Sequence, residues 1–237
     1  MTLSDPSPPR PLHAIIFDFD GVIADSERLH FRAYQAVLAE DGLTFTQQEY
    51  LASYLGYDDV GMFRQFAKDR GIAMDGARLE ALIARKGARF EALAAAGGML
   101  FPGAAEFIRA AAAAVPIAIA SGALSHEIHD VLDKAGLRAL FPVIVGADHT
   151  ERSKPSPDPY LHAFDRLAAA SGRELDVRRS VAIEDSRWGL DSARGAGLRT
   201  VAVTNTYPAA ELAGAADLIV SGLDGITLDL LDTLCRS

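Results

Sequence analysis

The chain of 237 residues carries 23 basic and 32 acidic side chains, a formal net charge of -9, with 49% of its residues hydrophobic. That length suits one sizeable core, or a core with a smaller insert, and the acidic balance without a basic stripe argues against nucleic acid or an anionic membrane surface as the main partner. A single cysteine, Cys235, cannot make an internal disulfide and suits a reducing compartment, where it reads as a tucked apolar residue.

Residues 1–11, with four prolines and no apolar block, read as a disordered lead-in rather than a signal peptide. No apolar run approaches the ~18 residues of a membrane span, so a soluble cytoplasmic protein is expected, as a monomer or weak homodimer. The stretch HAIIFDFDGVIADSE, His13 to Glu27, then joins the strand formers Ile15, Ile16 and Phe17 to Asp18, Asp20 and Gly21. Residues two apart in an extended chain share a face, so a strand ending here would aim both carboxylates at one spot. Two like charges held that close need a cation or a shared proton. The economical reading is a Mg²⁺ site in which one carboxylate attacks and the other moves protons.

From Asp25 the pattern turns helical. Ser26 is placed to cap a helix in which Leu29, Ala33, Ala36 and Val37 recur at helical spacing up to Gly42. Helical patterns continue over Thr46 to Leu55, Val60 to Asp69 and Ala77 to Ala95, with Gly42, Gly56, Gly71 and Gly76 as punctuation. Nothing between Asp25 and Ala96 has the pattern of a buried parallel strand, which predicts a helical insert over residues 25–97.

After Gly97-Gly98 short apolar runs alternate with helices. Strands are predicted at Val115 to Ser121, Pro142 to Gly146, Ser180 to Ile183, Thr200 to Val203 and Asp217 to Val220. Between them lie helices at Ser125 to Ala135, Pro157 to Ala170 and Arg187 to Ala196, with a terminal helix beyond. This is an α/β core of residues 12–24 and 98–237: a Rossmann-like parallel sheet covered by helices on both faces. Ligands in such sheets bind beyond the carboxyl ends of the strands.

Polar residues collect at those ends. Ser121 is followed by Gly122, which lets a backbone approach an anion and offer it N–H groups. Lys154 sits in ERSKPSPDPY between a strand and a helix, and Glu184 and Asp185 end the strand SVAIED. Adjacent strand residues point to opposite sides, so both acids join one site only where the strand stops and the chain turns.

With these four motifs in this order, the chain resembles the haloacid-dehalogenase-like hydrolase superfamily, in its phosphatase and phosphomutase branch. The resemblance implies that Asp18 is the nucleophile and Asp20 the general acid and base. Ser121, Gly122 and Lys154, with Gly21 alongside, would contact the transferring phosphoryl group. Asp18, the Asp20 carbonyl and Asp185, with Glu184 close by, would hold Mg²⁺. The insert would then be a cap able to close over the site, hinged at Asp25-Ser26 and around Ala95 to Gly98. DSERLHFRAY and ARKGARF resemble β-phosphoglucomutase-like proteins, which carries over Glu27, His30 and Lys86 as substrate contacts.

Departures from the mutase pattern count as well. Where such mutases hold a second phosphate with a cap arginine, this chain has Asp58 and Asp59, and where they have a lysine after the core serine it has Leu124. Acids there would repel a second phosphate by on the order of one kcal/mol or more per close pair. The expectation is a Mg²⁺-dependent phosphatase of a small phosphorylated metabolite, such as a sugar phosphate, acting through an aspartyl-phosphate. A hexose-phosphate mutase and a non-catalytic phospho-ligand sensor are the alternatives.

Overall fold

The computed structural model describes residues 11–54, 57, 59–95 and 99–236. The proline-rich lead-in up to residue 10, Gly56, Asp58 and the Gly97-Gly98 segment lie outside the described residues. The chain divides into two compact units, Met1–Asp25 with Leu100–Ser237, and Ser26–Met99.

The first unit is built on a sheet whose strands all pair in parallel. These are β1 (Ala14–Phe17), β2 (Ile117–Ala120), β3 (Val143–Val145), β4 (Ser180–Glu184), β5 (Arg199–Val203) and β6 (Leu218–Val220), in the order β3-β2-β1-β4-β5-β6. β1 lies centrally because its residues are fully buried on both faces, as a parallel strand under two helical layers must be. The alternation is visible within it. Ala14 and Ile16 pack in one core cluster with Tyr160, Ala163 and Leu167, whereas the Phe17 ring meets Phe107 and Phe141 edge-on, each at 6.0 Å. The covering helices of this unit were read from sequence to within a few residues. A further helix of four residues, Ala209–Leu212, is too short to leave a periodic signal.

Two local expectations are corrected. The strand stops at Phe17, so Asp18 and Asp20 do not share a strand face. The Phe19 carbonyl instead accepts from the N–H groups of Val22, Ile23 and Ala24, turning the chain within five residues. Ser26 is the first residue of its helix, not the residue before it.

The second unit comprises α1 (Ser26–Glu40), α2 (Gln47–Ser53), α3 (Asp59–Arg70) and α4 (Gly76–Ala95). Thr46 starts α2 with a reciprocal cap: its hydroxyl accepts from the Glu49 N–H at 3.1 Å and Glu49 accepts from the Thr46 N–H at 2.7 Å. The core is aromatic, with Phe31, Tyr34, Phe45, Tyr50, Tyr54, Phe63 and Phe66 in one buried cluster. Rings such as Tyr34 and Phe63 meet edge-to-face at 5.4 Å, the arrangement their quadrupoles favour. Truncating fully buried Phe63 or Phe66 to Ala is expected to cost roughly 3–5 kcal/mol. Among the described residues no helix is long and apolar enough to cross a membrane.

Candidate active site

The polar residues predicted for the sheet unit come from four strand ends. Asp18 directly follows β1, its N–H extending the ladder to the Ile183 carbonyl at 2.9 Å. Ser121 directly follows β2, its N–H bonded to Val145 at 2.9 Å. Lys154 lies in the loop after β3, before a cis peptide to Pro155, and Glu184 and Asp185 close β4. Strands β3, β2, β1 and β4 are consecutive in the sheet, so the groups converge although they span most of the chain.

Lys154 is the link between them. Its ammonium donates to Asp18 Oδ1 at 2.7 Å and to Glu184 Oε1 at 2.6 Å, with the side chain only 13% exposed. Burial works against its charge, but Asp18 and Glu184 override that and hold the lysine above its ordinary range. Oxygens of Asp18, Glu184 and Asp185 all lie within 4.8 Å of one another, and all three residues are buried. Three carboxylates face a single ammonium. Burial and the Glu184 charge push Asp185 up to about 7, and burial with Glu184 raises Asp18 well above the carboxylate range. A divalent cation would supply the missing positive charge, and a set of carboxylate oxygens is the donor set a hard cation takes.

Glu184 is the most heavily engaged of the three. Its Oε1 accepts from Lys154 and from the Tyr160 hydroxyl at 2.9 Å, while Oε2 accepts from the N–H groups of Asp185 and Ser186 and from the Ser186 hydroxyl. Hence both oxygens are used within the protein, and Asp18 and Asp185 are the better placed to turn toward an ion. The carboxylate of Asp20 is not part of the cluster.

Two glycines set the fit. Gly21 has φ of +77°, and a Cβ there would lie 1.9 Å from Asp185 Oδ2, so its close neighbour is the acid; the Asn205 amide donates to its carbonyl at 2.8 Å. A Cβ on Gly189 would come within 1.9 Å of the Glu184 carboxylate. Gly122 is different: it is exposed, has no positive φ and would tolerate a Cβ in open space. Ser121 is buried, and its hydroxyl oxygen accepts from the Ala123 N–H at 3.1 Å.

Sequence reasoning missed Tyr160, Thr206 and Gly189. Tyr160 falls in a run already singled out around Lys154, and its spacing six residues on was the available signal. Thr206, which hydrogen-bonds Asp185, follows β5 with nothing in its neighbours to mark it.

The helical unit has its own pocket of about 530 Å³, lined by Glu27, His30, Tyr34, Tyr50, Asp59 and Lys86 among others. All three residues singled out there, Glu27, His30 and Lys86, are brought together. Lys86 is 3% exposed; its ammonium donates to Asp59 at 2.6 Å and to His30 Nδ1 at 2.8 Å, and stands 4.8 Å from the Tyr34 ring centre. Burial and the adjacent Lys86 lower His30 to about 4, so the imidazole is neutral near pH 7 and, with Nδ1 accepting, its proton sits on Nε2. Tyr50 donates its hydroxyl to Glu27, and Tyr34 donates to Asp59 at 2.5 Å. Asp59 is therefore not the unpaired acid that the sequence suggested, because Lys86, reached across 27 positions, meets its charge.

Comparison with known proteins places this arrangement. The model of the haloacid dehalogenase-like hydrolase family matches residues 15–203. The protein CbbY of Cereibacter sphaeroides is 35% identical over 235 residues, covering 92% of this chain and 97% of that protein. Fructose-1-phosphate phosphatase YqaB of Escherichia coli (strain K12) is 28% identical over 190 residues, covering 80% and 95%. The crystal structure of a CbbY variant from Rhodobacter sphaeroides in complex with xylulose-(1,5)bisphosphate superposes with a TM-score of 0.65 at 30% identity, covering 90% of this chain and 95% of that one. With the family model spanning β1 to β5 and relatives matching nearly end to end, this chain belongs to the haloacid dehalogenase-like hydrolase family.

Proposed function

We propose that this protein is a Mg²⁺-dependent phosphatase that hydrolyses a small, hydroxyl-rich phosphate monoester through an aspartyl-phosphate on Asp18. The observation that carries this reading is the Lys154 ammonium seated between Asp18 and Glu184, beside Asp185. Asp18 attacks phosphorus and expels the alkoxide, which Asp20 protonates; Asp20 then takes a proton from the water that opens the acyl phosphate. Ser121 and Lys154 hold the phosphoryl oxygens, and Lys154 offsets repulsion between Asp18 and the incoming dianion. Glu184 keeps Lys154 in place. Asp18 and Asp185, the Asp20 carbonyl and, more distantly, Glu184 would hold Mg²⁺, which when bound neutralises phosphate charge and aligns the ester.

Support for a monoester comes from the helical unit, read as the cap. The pocket lysine, Lys86, is spent on Asp59 and His30, leaving carboxylate, hydroxyl and neutral imidazole groups that match sugar or polyol hydroxyls better than a second phosphate. Leu124, 43% exposed at the start of its helix, offers no charge to one either. YqaB is named for a sugar monophosphate, which agrees with this substrate class, whereas CbbY was crystallised with a sugar bisphosphate, so both kinds of ester belong in the test.

The test is phosphate release from sugar monophosphates, sugar bisphosphates, polyol phosphates and nucleotides, with Mg²⁺ and with EDTA, wild type beside Asp18→Asn. Release that needs Mg²⁺ and vanishes in Asp18→Asn is expected. Substantial turnover by that variant would remove the covalent mechanism. Isomerisation of a hexose 1-phosphate primed by bisphosphate, with little free phosphate, would replace the reading with a mutase, and binding without turnover would replace it with a sensor.

A further inference from the structure

The helix that follows Ser121, α5 (Ser125–Lys134), begins badly by its own sequence. Its N-cap residue is Leu124, which has no oxygen to offer the first N–H groups, and no side-chain cap comes from that position. The chain supplies the missing acceptor from elsewhere. Asp148, in the turn after β3, accepts the Ser125 N–H on Oδ1 at 2.9 Å and the Ser125 hydroxyl on Oδ2. The two turns are joined again by the Ala147 N–H, which donates to the Ala123 carbonyl at 2.8 Å. Between these bonds the loops are so close that a Cβ on Gly146 would lie 2.7 Å from the Ser125 nitrogen and 2.8 Å from the Ala123 oxygen. The Ser125 hydrogen bonds hold the Asp148 carboxyl at about 2, so the clasp is ionised throughout the neutral range.

What the clasp encloses is Gly122–Ala123–Leu124. Ser121 is fixed at one end by Val145, and Ser125 at the other by Asp148, leaving three residues between two anchors on the β3 side. We propose that Asp148 is a positioning residue for phosphate binding: from a turn that need not touch the substrate, it sets the loop through which Ser121 and the N–H groups after it grip the phosphoryl oxygens. This rests on the phosphatase reading for its substrate. It adds a residue that the motifs do not contain.

The experiment compares Asp148→Ala, Asp148→Asn and Ser125→Ala with wild type. It reads kcat and KM for the best monoester, inhibition by inorganic phosphate, and amide exchange over residues 121–125. Asp148→Ala is expected to raise KM and the phosphate inhibition constant about tenfold, with kcat changed less than about threefold, as loss of a ground-state binding geometry does. Exchange at Ser125 should quicken. Asparagine accepts from the Ser125 N–H and donates to its hydroxyl, so Asp148→Asn should return most of the affinity, which general destabilisation would not. Equal KM and phosphate inhibition in Asp148→Ala and wild type would overturn the proposal, as would loss of affinity in Asp148→Asn as large as in Asp148→Ala. If wild type itself releases no phosphate from any ester, the phosphatase reading fails separately. The clasp is then judged on exchange and on binding of inorganic phosphate, and no change in either in Asp148→Ala overturns it.

Discussion

Each unit of the molecule buries one lysine and uses it to join two groups, and the two differ in what is joined. Lys154 in the sheet unit binds two carboxylates while a third, Asp185, stands beside them, so acid outnumbers base. Lys86 in the helical unit binds one carboxylate and a neutral imidazole, with aromatic rings against its ammonium. The first arrangement is short of positive charge and calls for a cation. The second is settled within itself and presents polar but weakly charged groups. Burying a lysine is costly in both places, and in both the groups it joins offset that cost.

That contrast is open to direct attack. The largest effect is expected from Lys154→Met, which leaves Asp18 and Glu184 without their shared ammonium. Turnover should fall by roughly 10²–10³-fold, in the range of removing a donor to developing transition-state charge, measured at saturating Mg²⁺. A fall under about threefold would mean that the lysine is structural only. In the helical unit the expected effect is on stability against pH. His30 has a folded value of about 4 against 6.5 ordinarily, so the unfolded chain takes up the proton first. Stability from the neutral ring is complete above about 6.5 and is lost as pH falls toward 4, by roughly 3 kcal/mol in all. Urea unfolding at pH 7.5 and 5 should show this slope in wild type and a flatter one in His30→Asn.

Lys86→Met is expected to cost about 2 kcal/mol, below the figure for a fully buried pair because Asp59 keeps some contact with water. Thermal unfolding reads it, and turnover on a substrate that needs no hydroxyl recognition, such as p-nitrophenyl phosphate, should persist. Smallest is Tyr160→Phe, which keeps the ring under Lys154, 5.1 Å from its ammonium, and deletes only the hydroxyl on Glu184. A loss of about 1.5 kcal/mol in stability is expected, the low end for a hydrogen bond to a charged group because Lys154 and Ser186 still serve Glu184, with a modest fall in kcat. A fall as large as that of Lys154→Met would make Tyr160 part of the chemistry.

The sequence made the sheet legible because buried parallel strands are written as unbroken apolar runs: AIIF, IAIA and the VAI of β4 stand out between polar residues. The acids and Lys154 were legible through motif order. Their pairing was not, since Asp18 and Lys154 are 136 positions apart and no local rule joins them. The same limit hid the Asp59–Lys86 pair, and so made Asp59 look like bare repulsion. It hid Asp148 too, because an acid in a turn has many ordinary reasons to be there, and only the poor cap at Leu124 hinted that α5 needed help. The premise that Asp18 and Asp20 share a strand face failed for a different reason. Strand propensity says where extension starts better than where three N–H groups converge on Phe19 to end it.

The central place of β1 has a consequence during synthesis. Its residues pair on one side with Ile117–Ile119 and on the other with Ser180–Ile183, whereas the aromatic cluster of the helical unit is complete within Phe31 to Leu82. As the nascent chain emerges, the insert has all its partners early, while the first strand waits with an unpaired edge until β4 leaves the ribosome. Such an edge is a template for pairing with another chain. A polypeptide halted before residue 180 would thus carry a finished helical unit and a half-sheet that invites aggregation, with Asp18 at the border of the exposed edge.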